Sequence, residues 1–301
     1  MKDYAPSRTA QVIAASLFLL AREKHSRNFV PHDVAALNHQ FVRACSKRAA
    51  RALNAATSPC GQAIISFLES HLLPGIRLNY ALRKLYLEEV AREALAQGYR
   101  QIVVLGAGFD TLALRLCTEF PAARFVEVDH PATQRVKLQV VASHLTREDN
   151  LKFLSLDFRR ESLRAALARS GIYDTQAKTL FIAEGLLMYL SANQARSIFA
   201  SLRRQSAPLC RFAFTLMQPR ADGRIAFHYQ SRIVDAWLCW RGESFKWSLN
   251  AERLAAFLAA EGFKLCAQAD ADKLKLRYLH AADSSLLPLA EGEYICVAEC
   301  D

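Results

Sequence analysis

The sequence predicts an α/β protein built on a doubly wound, mostly parallel sheet of seven strands. Short apolar, β-branched segments alternate with helical patterns from Gln101 onward. The first of these segments, Gln101–Leu105, runs directly into Gly106-Ala107-Gly108, and a helical pattern of leucines follows. That order is typical of a buried parallel strand, a tight turn and a crossover helix. We therefore expect ligands at the carboxyl ends of the strands.

The N-terminal third is predicted to be mostly helical. The ten-residue apolar run Val12–Ala21 is too short to span a bilayer and lacks a signal-peptidase site, so it predicts a buried helix. A longer helix is predicted to end at Gln97-Gly98, because glycine commonly stops a helix. We assign residues 1–97 to a helical N-terminal extension or lid, and residues 98–301 to the sheet domain.

Six further strands are predicted after the first, at residues 124–128, 151–156, 179–183, 209–216, 262–268 and 293–299. Helices are predicted at residues 160–169, 192–204 and 252–260. The rhythm breaks at about 217–247, a stretch rich in arginine and aromatic residues. We predict a cap insertion there, over the carboxyl ends of the strands, with Arg220, Arg224 and His228 holding an anionic acceptor.

Two glycines and an acid predict a nucleoside-binding site. Gly106 and Gly108 let the backbone approach a ligand where a Cβ would clash. Asp129 ends the second strand and is placed to accept hydrogen bonds from both ribose hydroxyls. The dinucleotide fingerprint requires a third glycine where this chain has Thr111, and Asp110 would repel a pyrophosphate. S-adenosyl-L-methionine (SAM) carries no phosphate and tolerates that acid. A nicotinamide-dependent oxidoreductase on the same sheet is the alternative.

Three segments resemble one known family. Residues 105–111 (LGAGFDT), 125–131 (FVEVDHP) and 182–190 (IAEGLLMYL) are similar, in order and spacing, to blocks of the leucine carboxyl methyltransferase family. The similarity runs from about Ser7 to about Gln205. It implies a class I, Rossmann-like methyltransferase fold with SAM as cofactor. It also implies methyl transfer to a carboxylate or hydroxyl oxygen, on a protein C-terminus or a small metabolite.

The resemblance and the strand ends together assign cofactor contacts. Asp157 is expected to accept the adenine amine, and Phe158 to cover the ring. Arg83 is expected to pair with the SAM carboxylate, since a guanidinium suits that bidentate contact. Arg8 resembles a basic residue of the family's N-terminal arm.

Two residues of the third block are assigned to the reacting end. Glu184 is expected to contact the methionine amino group or to shape the methyl site. Tyr189 is expected to reach the acceptor. A carboxylate acceptor is already ionised near neutral pH and needs no general base, whereas a hydroxyl acceptor needs one. The sequence identifies no acid–base pair.

Composition restricts the partners and the compartment. Eight cysteines without a C-x-x-C spacing predict reduced thiols in a cytoplasmic protein, with neither a disulfide framework nor a metal site. The net charge of +10 favours a basic surface, with an acidic carrier protein as one partner. It also leaves open a non-catalytic, methyltransferase-like binding protein. Nucleic acid is not expected, because no basic tract is interleaved with aromatic residues. No membrane partner is expected.

Overall fold

A computed structural model describes residues 5–142, 149–205, 210–280 and 287–300, with residues 204 and 205 described by their backbone only. The described residues form a seven-stranded sheet flanked by α-helices. The strands are β1 Gln101–Leu105, β2 Arg124–Asp129, β3 Leu151–Ser155, β4 Thr179–Ala183, β5 Cys210–Met217, β6 Lys264–Ala269 and β7 Glu293–Cys300. Their order in the sheet is β3-β2-β1-β4-β5-β7-β6.

The sheet is mixed. The first five strands are parallel to one another, whereas β7 lies antiparallel between β5 and β6. The prediction of seven strands is confirmed, and the antiparallel β7 limits the parallel part. A buried apolar strand has the same sequence pattern in either direction, so the sequence alone did not reveal the direction of β7.

Five described α-helices precede the sheet: α1 Arg8–Leu20, α2 His32–Cys45, α3 Lys47–Ala55, α4 Pro59–Leu72 and α5 Ile76–Ala96. The predicted N-terminal helix is confirmed as α1, whose Leu17 and Phe18 are buried. Helices α1, α2 and α5 share one hydrophobic cluster with β1. They therefore pack on one face of the sheet as part of its core, and the domain division at residue 97 stays a prediction.

In the described part of the chain, seven α-helices follow β1: α6 Leu112–Glu119, α7 Pro131–Val141, α8 Leu163–Ser170, α9 Ala192–Gln205, α10 Arg232–Arg241, α11 Ala251–Ala260 and α12 Ala271–Tyr278. Helices α7, α10 and α12 were not predicted. A second cluster, from α8, α9 and α11, covers the opposite face of the sheet. None of the described helices combines the length and the apolar character that crossing a membrane requires.

The strand order reverses at β1, which pairs with β2 on one side and with β4 on the other. Loops after these strands turn to opposite faces of the sheet, which opens a crevice at their carboxyl ends. The turn after β1 closes this edge through a hydrogen bond from the Gly106 amide to the Val128 carbonyl at 2.8 Å. The fold therefore places the crevice beside the predicted nucleoside site.

Candidate functional site

A cavity of about 230 Å³ lies at this crevice. It is lined by every residue predicted to bind cofactor or substrate in the sheet and α5: Arg83, Gly106, Gly108, Asp129, Asp157, Phe158, Glu184 and Tyr189. Helix α1 contributes Thr9, Ala10 and Ile13, and a loop after α10 contributes residues 242–244 and Lys246. The cavity therefore lies between the sheet edge, the N-terminal helix and the segment that follows β5.

Asp129 is held by backbone amides. One oxygen accepts from the Gly108 amide at 2.6 Å, and the other accepts from the His130 amide at 2.6 Å. Burial raises the pKa of Asp129 to about 6, and the two amide hydrogen bonds oppose that rise. Each carboxylate oxygen can accept more than one hydrogen bond, so vicinal hydroxyls of a ribose fit this acid.

The two turn glycines have different surroundings. Both have positive φ, +65° at Gly106 and +51° at Gly108. A Cβ on Gly106 would lie 3.0 Å from the Leu186 side chain, and a Cβ on Gly108 would lie 3.4 Å from the Cβ of Ala10 on α1. The glycines were expected to let a ligand approach the backbone. Gly108 has a second role, because its lack of a side chain also lets α1 approach the turn.

Asp157 and Phe158 follow β3, as predicted, on the same side as Asp129. Hydrogen bonds from Arg159 have the largest effect on the pKa of Asp157 and lower it to about 2, although burial acts to raise it. The Arg159 Nη2 lies 2.8 Å from Asp157 Oδ2, and His130 Nε2 lies 3.8 Å from the same oxygen. Phe158 is half-buried against the apolar cluster of α8 and α9. This end of the cavity therefore offers an anionic acceptor beside an aromatic face.

The opposite end is a network of buried charges. Arg83 Nη1 lies 2.9 and 2.8 Å from the two oxygens of Glu293, and Arg83 Nε donates to Glu184 at 2.9 Å. Lys84, the next residue of α5, bridges Glu184 and Asp110 at 2.9 Å each. Burial lowers the pKa of Arg83, but the two glutamates outweigh it and raise the pKa. Helix α5 thus connects the loops that follow β1 and β4 to the start of β7.

Asp110 stays ionised in this network. Burial would raise its pKa, but Lys84 and Lys137 outweigh burial and hold the pKa at about 2. The negative charge in the first turn after β1 is therefore fixed. Sequence reasoning did not assign roles to Lys84 or Glu293. Their signals were a lysine adjacent to the assigned Arg83 and a glutamate at the start of an otherwise apolar strand.

Tyr189 lies in a short 3₁₀ turn after β4, with its ring 5.4 Å from that of Phe245. Its hydroxyl is within hydrogen-bond reach of Thr9, and burial raises its pKa well above the usual range. Tyr189 therefore remains a protonated hydrogen-bond donor at neutral pH. This placement fits the predicted contact with an acceptor.

Helix α1 is fixed over the cavity by a residue that sequence reasoning missed. Glu243, in the loop after α10, accepts from the Arg8 amide at 3.1 Å, the Thr9 amide at 2.9 Å and the Thr9 hydroxyl at 2.5 Å. These are N-terminal amides of α1, which a carboxylate stabilises. No sequence signal connects positions 243 and 9. The Arg8 side chain donates instead to Gln11 at 2.9 Å, outside the cavity lining.

The expectation for Arg220, Arg224 and His228 is not supported. Arg224 pairs with Asp235 at 2.6 Å, and His228 lies 3.2 Å from Glu291. Arg220 donates to backbone carbonyls of its own loop. None of the three belongs to the described residues that line the cavity. The segment after β5 reaches the cavity through residues 242–244 and Lys246 instead.

Comparison with known proteins decides the family. The family model described as leucine carboxyl methyltransferase matches residues 15–203, which include the turn glycines, Asp129, Glu184 and Tyr189. The chain belongs to the leucine carboxyl methyltransferase family. The resemblance noted in the sequence is thereby confirmed, and so is the predicted cofactor, SAM.

Individual relatives agree with this family. A candidate SAM-dependent methyltransferase of Mycobacteroides abscessus is 34% identical over 154 residues, which cover 50% of this chain and 48% of that protein. A candidate of Streptomyces avermitilis is 30% identical over 200 residues, covering 62% of this chain and 68% of that protein. The chain thus matches about half of the length of the former relative and two thirds of the latter.

Solved structures support the fold. A candidate methyltransferase from Thermobifida fusca has a TM-score of 0.58 at 16% identity, covering 81% of this chain and 89% of its own. A protein of the family DUF574 from Streptomyces avermitilis has a TM-score of 0.57 at 13% identity, covering 99% of each chain. The leucine carboxyl methyltransferase family member described here therefore has the α/β architecture of methyltransferases.

Proposed function

We propose that the chain is a SAM-dependent O-methyltransferase whose acceptor is a carboxylate, on a protein C-terminus or a small metabolite. The observation that carries this proposal is that the carboxylates around the reacting end of the cavity already have partners. At the end formed by α1, α5 and the loops after β1 and β4, every described acid is already engaged. Asp110 and Glu184 pair with Lys84, and Glu243 holds the amides of α1.

This arrangement leaves no general base at the reacting end among the described lining residues. Tyr189 is protonated at neutral pH for the reason given above. His130 lies at the ribose end, where its Nδ1 accepts from the Ala132 amide at 3.3 Å. A carboxylate acceptor needs no base, whereas a hydroxyl acceptor needs one. The hydroxyl acceptor is therefore the second choice.

The residues assigned to SAM fit it in order along the cavity. Asp157 and Phe158 would hold the adenine, Asp129 the ribose, and Arg83 with Glu184 the methionine end. SAM supplies, when bound, a methyl group on a sulfonium sulfur. The protein's part is to align an acceptor oxygen with that methyl group and to exclude water, and α1 together with residues 242–246 would form the covering wall. We assign the cap function predicted for the segment after β5 to residues 242–246 of that segment.

The ionised Asp110 disfavours the oxidoreductase alternative. It lies in the first turn after β1, where a dinucleotide would place its pyrophosphate. Its Oδ1 accepts from the Thr111 amide at 2.8 Å and from Lys84 Nζ at 2.9 Å, so this carboxylate occupies an amide at the start of α6 and offers a diphosphate no donor. The same charge is acceptable beside SAM, which carries a sulfonium and no phosphate.

The surroundings of the reaction follow from composition. All eight cysteines are free thiols, which supports the proposal of a cytoplasmic location. The net charge of +10 supports an acidic carrier protein as a presenter of the acceptor. Nucleic acid and membranes have no part in the proposal.

The test is a methyl-transfer screen with SAM that carries a tritium label on its methyl group. Carboxylic acids, phenols, C-terminal peptides and carrier-bound acyl groups would each be offered as acceptors. Methyl esters release labelled methanol in base and aryl ethers do not, so a volatile product from carboxylate acceptors is expected. Each carboxylic acid is paired with its primary amide as a control. Base-stable label on phenols alone would contradict the carboxylate assignment.

A further inference from the structure

The contacts of Arg83 leave one of its N–H donors for a ligand. A guanidinium carries five N–H donors. Nε and Nη2 both lie 2.9 Å from Glu184 Oε1, and Nη1 faces the two oxygens of Glu293. Within the described part of the chain, Nη2 contacts one acceptor, so one of its two N–H groups has no partner. The side chain is 4% exposed, which makes this a buried donor.

The unused donor lies beside Gly185. This glycine lines the cavity and has φ of +60°. A Cβ built on Gly185 would lie 3.7 Å from Arg83 Nη2, and no other atom of the described residues beyond its chain neighbours lies within 4 Å of it. The missing side chain therefore leaves space next to the free N–H. An anionic group of a ligand in the cavity can reach the guanidinium through that space.

Glu293 sets the direction of this donor. Its carboxylate lies at the start of β7 and is 2% exposed. It is held in turn by Asn79 Nδ2, which donates at 3.2 Å. Nη1 donates to both oxygens of Glu293, and Nε donates to Glu184. These contacts fix the guanidinium plane on two sides. Nη2 remains the guanidinium nitrogen nearest to the space beside Gly185.

We propose that Glu293 is a positioning residue that orients Arg83, so that the Nη2 edge beside Gly185 receives the carboxylate of SAM. This inference rests on the proposed function, because it assumes that SAM occupies the cavity. Glu293 does not contact the ligand itself. Through Arg83 it affects only the carboxylate of the cofactor. Its effect on binding can therefore be distinguished from a general loss of stability.

The experiment compares two ligands by calorimetry. One is S-adenosylhomocysteine, the demethylated product of SAM. The other is its decarboxylated analogue, which keeps the adenosine, sulfur and amino group. Glu293→Gln is expected to weaken binding of S-adenosylhomocysteine about tenfold or more, and binding of the analogue less than about threefold. Gly185→Ala is expected to show the same selectivity, because its methyl group fills the space beside Nη2.

A matched control is Glu69→Gln. It breaks another buried arginine pair, between Glu69 and Arg77, at residues that do not line the cavity. It should lower the melting temperature and leave the affinities for both ligands unchanged. Melting temperatures of all variants are measured without ligand, so that folding is checked independently.

Each result has one meaning. If the wild-type protein binds neither ligand, the proposed function fails. If it binds both, the positioning role is overturned by a Glu293→Gln variant that weakens both equally or weakens neither. Tighter binding of S-adenosylhomocysteine by that variant also overturns it, since Glu293 would then only reduce the positive charge of Arg83.

Discussion

The Asp129 carboxylate accepts the Gly108 amide at 2.6 Å, across 21 positions of sequence. The acid that ends β2 is thus connected directly to the turn that follows β1. Because this hydrogen bond couples the two positions, a change at either residue alters the geometry that a ligand meets at both.

Cofactor affinity should depend on the protonation of Asp129. In the ligand-free protein its pKa is about 6, raised by burial. Ribose hydroxyls donate to the ionised form, so binding below that pH first requires loss of a proton. The affinity for S-adenosylhomocysteine should fall about tenfold between pH 7 and pH 5. Calorimetry across this range tests it, and Asp129→Asn should bind weakly without the pH dependence. A flat wild-type profile would show that Asp129 does not bind the ribose.

Gly108→Ala should weaken cofactor binding by more than its backbone strain explains. The positive φ costs a non-glycine residue about 1–2 kcal/mol. The added methyl group also contacts Ala10 on α1, which lines the cavity. Gly171→Ala is the matched control, because φ there is +64° and, chain neighbours aside, no atom of the described residues lies within 4 Å of the added Cβ. Both variants should lose similar stability in urea unfolding, and only Gly108→Ala should lose affinity. Equal cofactor affinities in the two variants would show that this turn does not contact the ligand.

Glu243→Ala should release the N-terminus of α1. Three hydrogen bonds to Arg8 and Thr9 are lost, which should reduce stability by about 1 kcal/mol. Hydrogen exchange should accelerate at the first turn of α1, and S-adenosylhomocysteine should dissociate faster. Ser162→Ala removes an N-cap from α8, away from the cavity, and should change stability without changing dissociation. Unchanged dissociation in Glu243→Ala would mean that α1 does not cover the bound cofactor.

Lys246 should affect the acceptor rather than the cofactor. Four described cations line the cavity, and Arg83, Lys84 and Arg159 each pair with carboxylates. Lys246 forms no ion pair with a described residue and is exposed. Lys246→Ala should lower kcat/KM for a carboxylate acceptor about threefold to tenfold, with SAM affinity unchanged. Arg224→Ala, outside the cavity, should react at the wild-type rate. The opposite ranking of the two variants would restore the sequence-based assignment of Arg224.

The sequence predicted the parts of the site that follow strand ends. Gly106, Gly108, Asp129 and Glu184 lie at or just after the end of a buried strand, and parallel strands bring such ends to one edge. The contacts that came from elsewhere were not predictable in this way. Glu243 reaches α1 across more than 230 positions, and no local pattern encodes that distance.

The burial of charged residues was also not predictable from the sequence. Lys84 has the appearance of a surface lysine on a helix, yet it bridges Asp110 and Glu184. Glu293 has the appearance of a polar strand end, yet it is 2% exposed against Arg83. Charged residues are exposed in most sequence contexts, so their burial follows only from the packing of α5 against the strand ends.

The central claim is that the cavity at the ends of β1, β2 and β4 binds SAM through Asp129. Titration calorimetry of SAM and of NADH into the wild-type protein and into Asp129→Ala tests it most directly. The wild-type protein should bind SAM and not NADH. Asp129→Ala should lose about 1.5–3 kcal/mol of SAM binding free energy, on the order of tenfold to a hundredfold in affinity. Equal SAM affinity in the two proteins, or binding of NADH in place of SAM, would contradict the account.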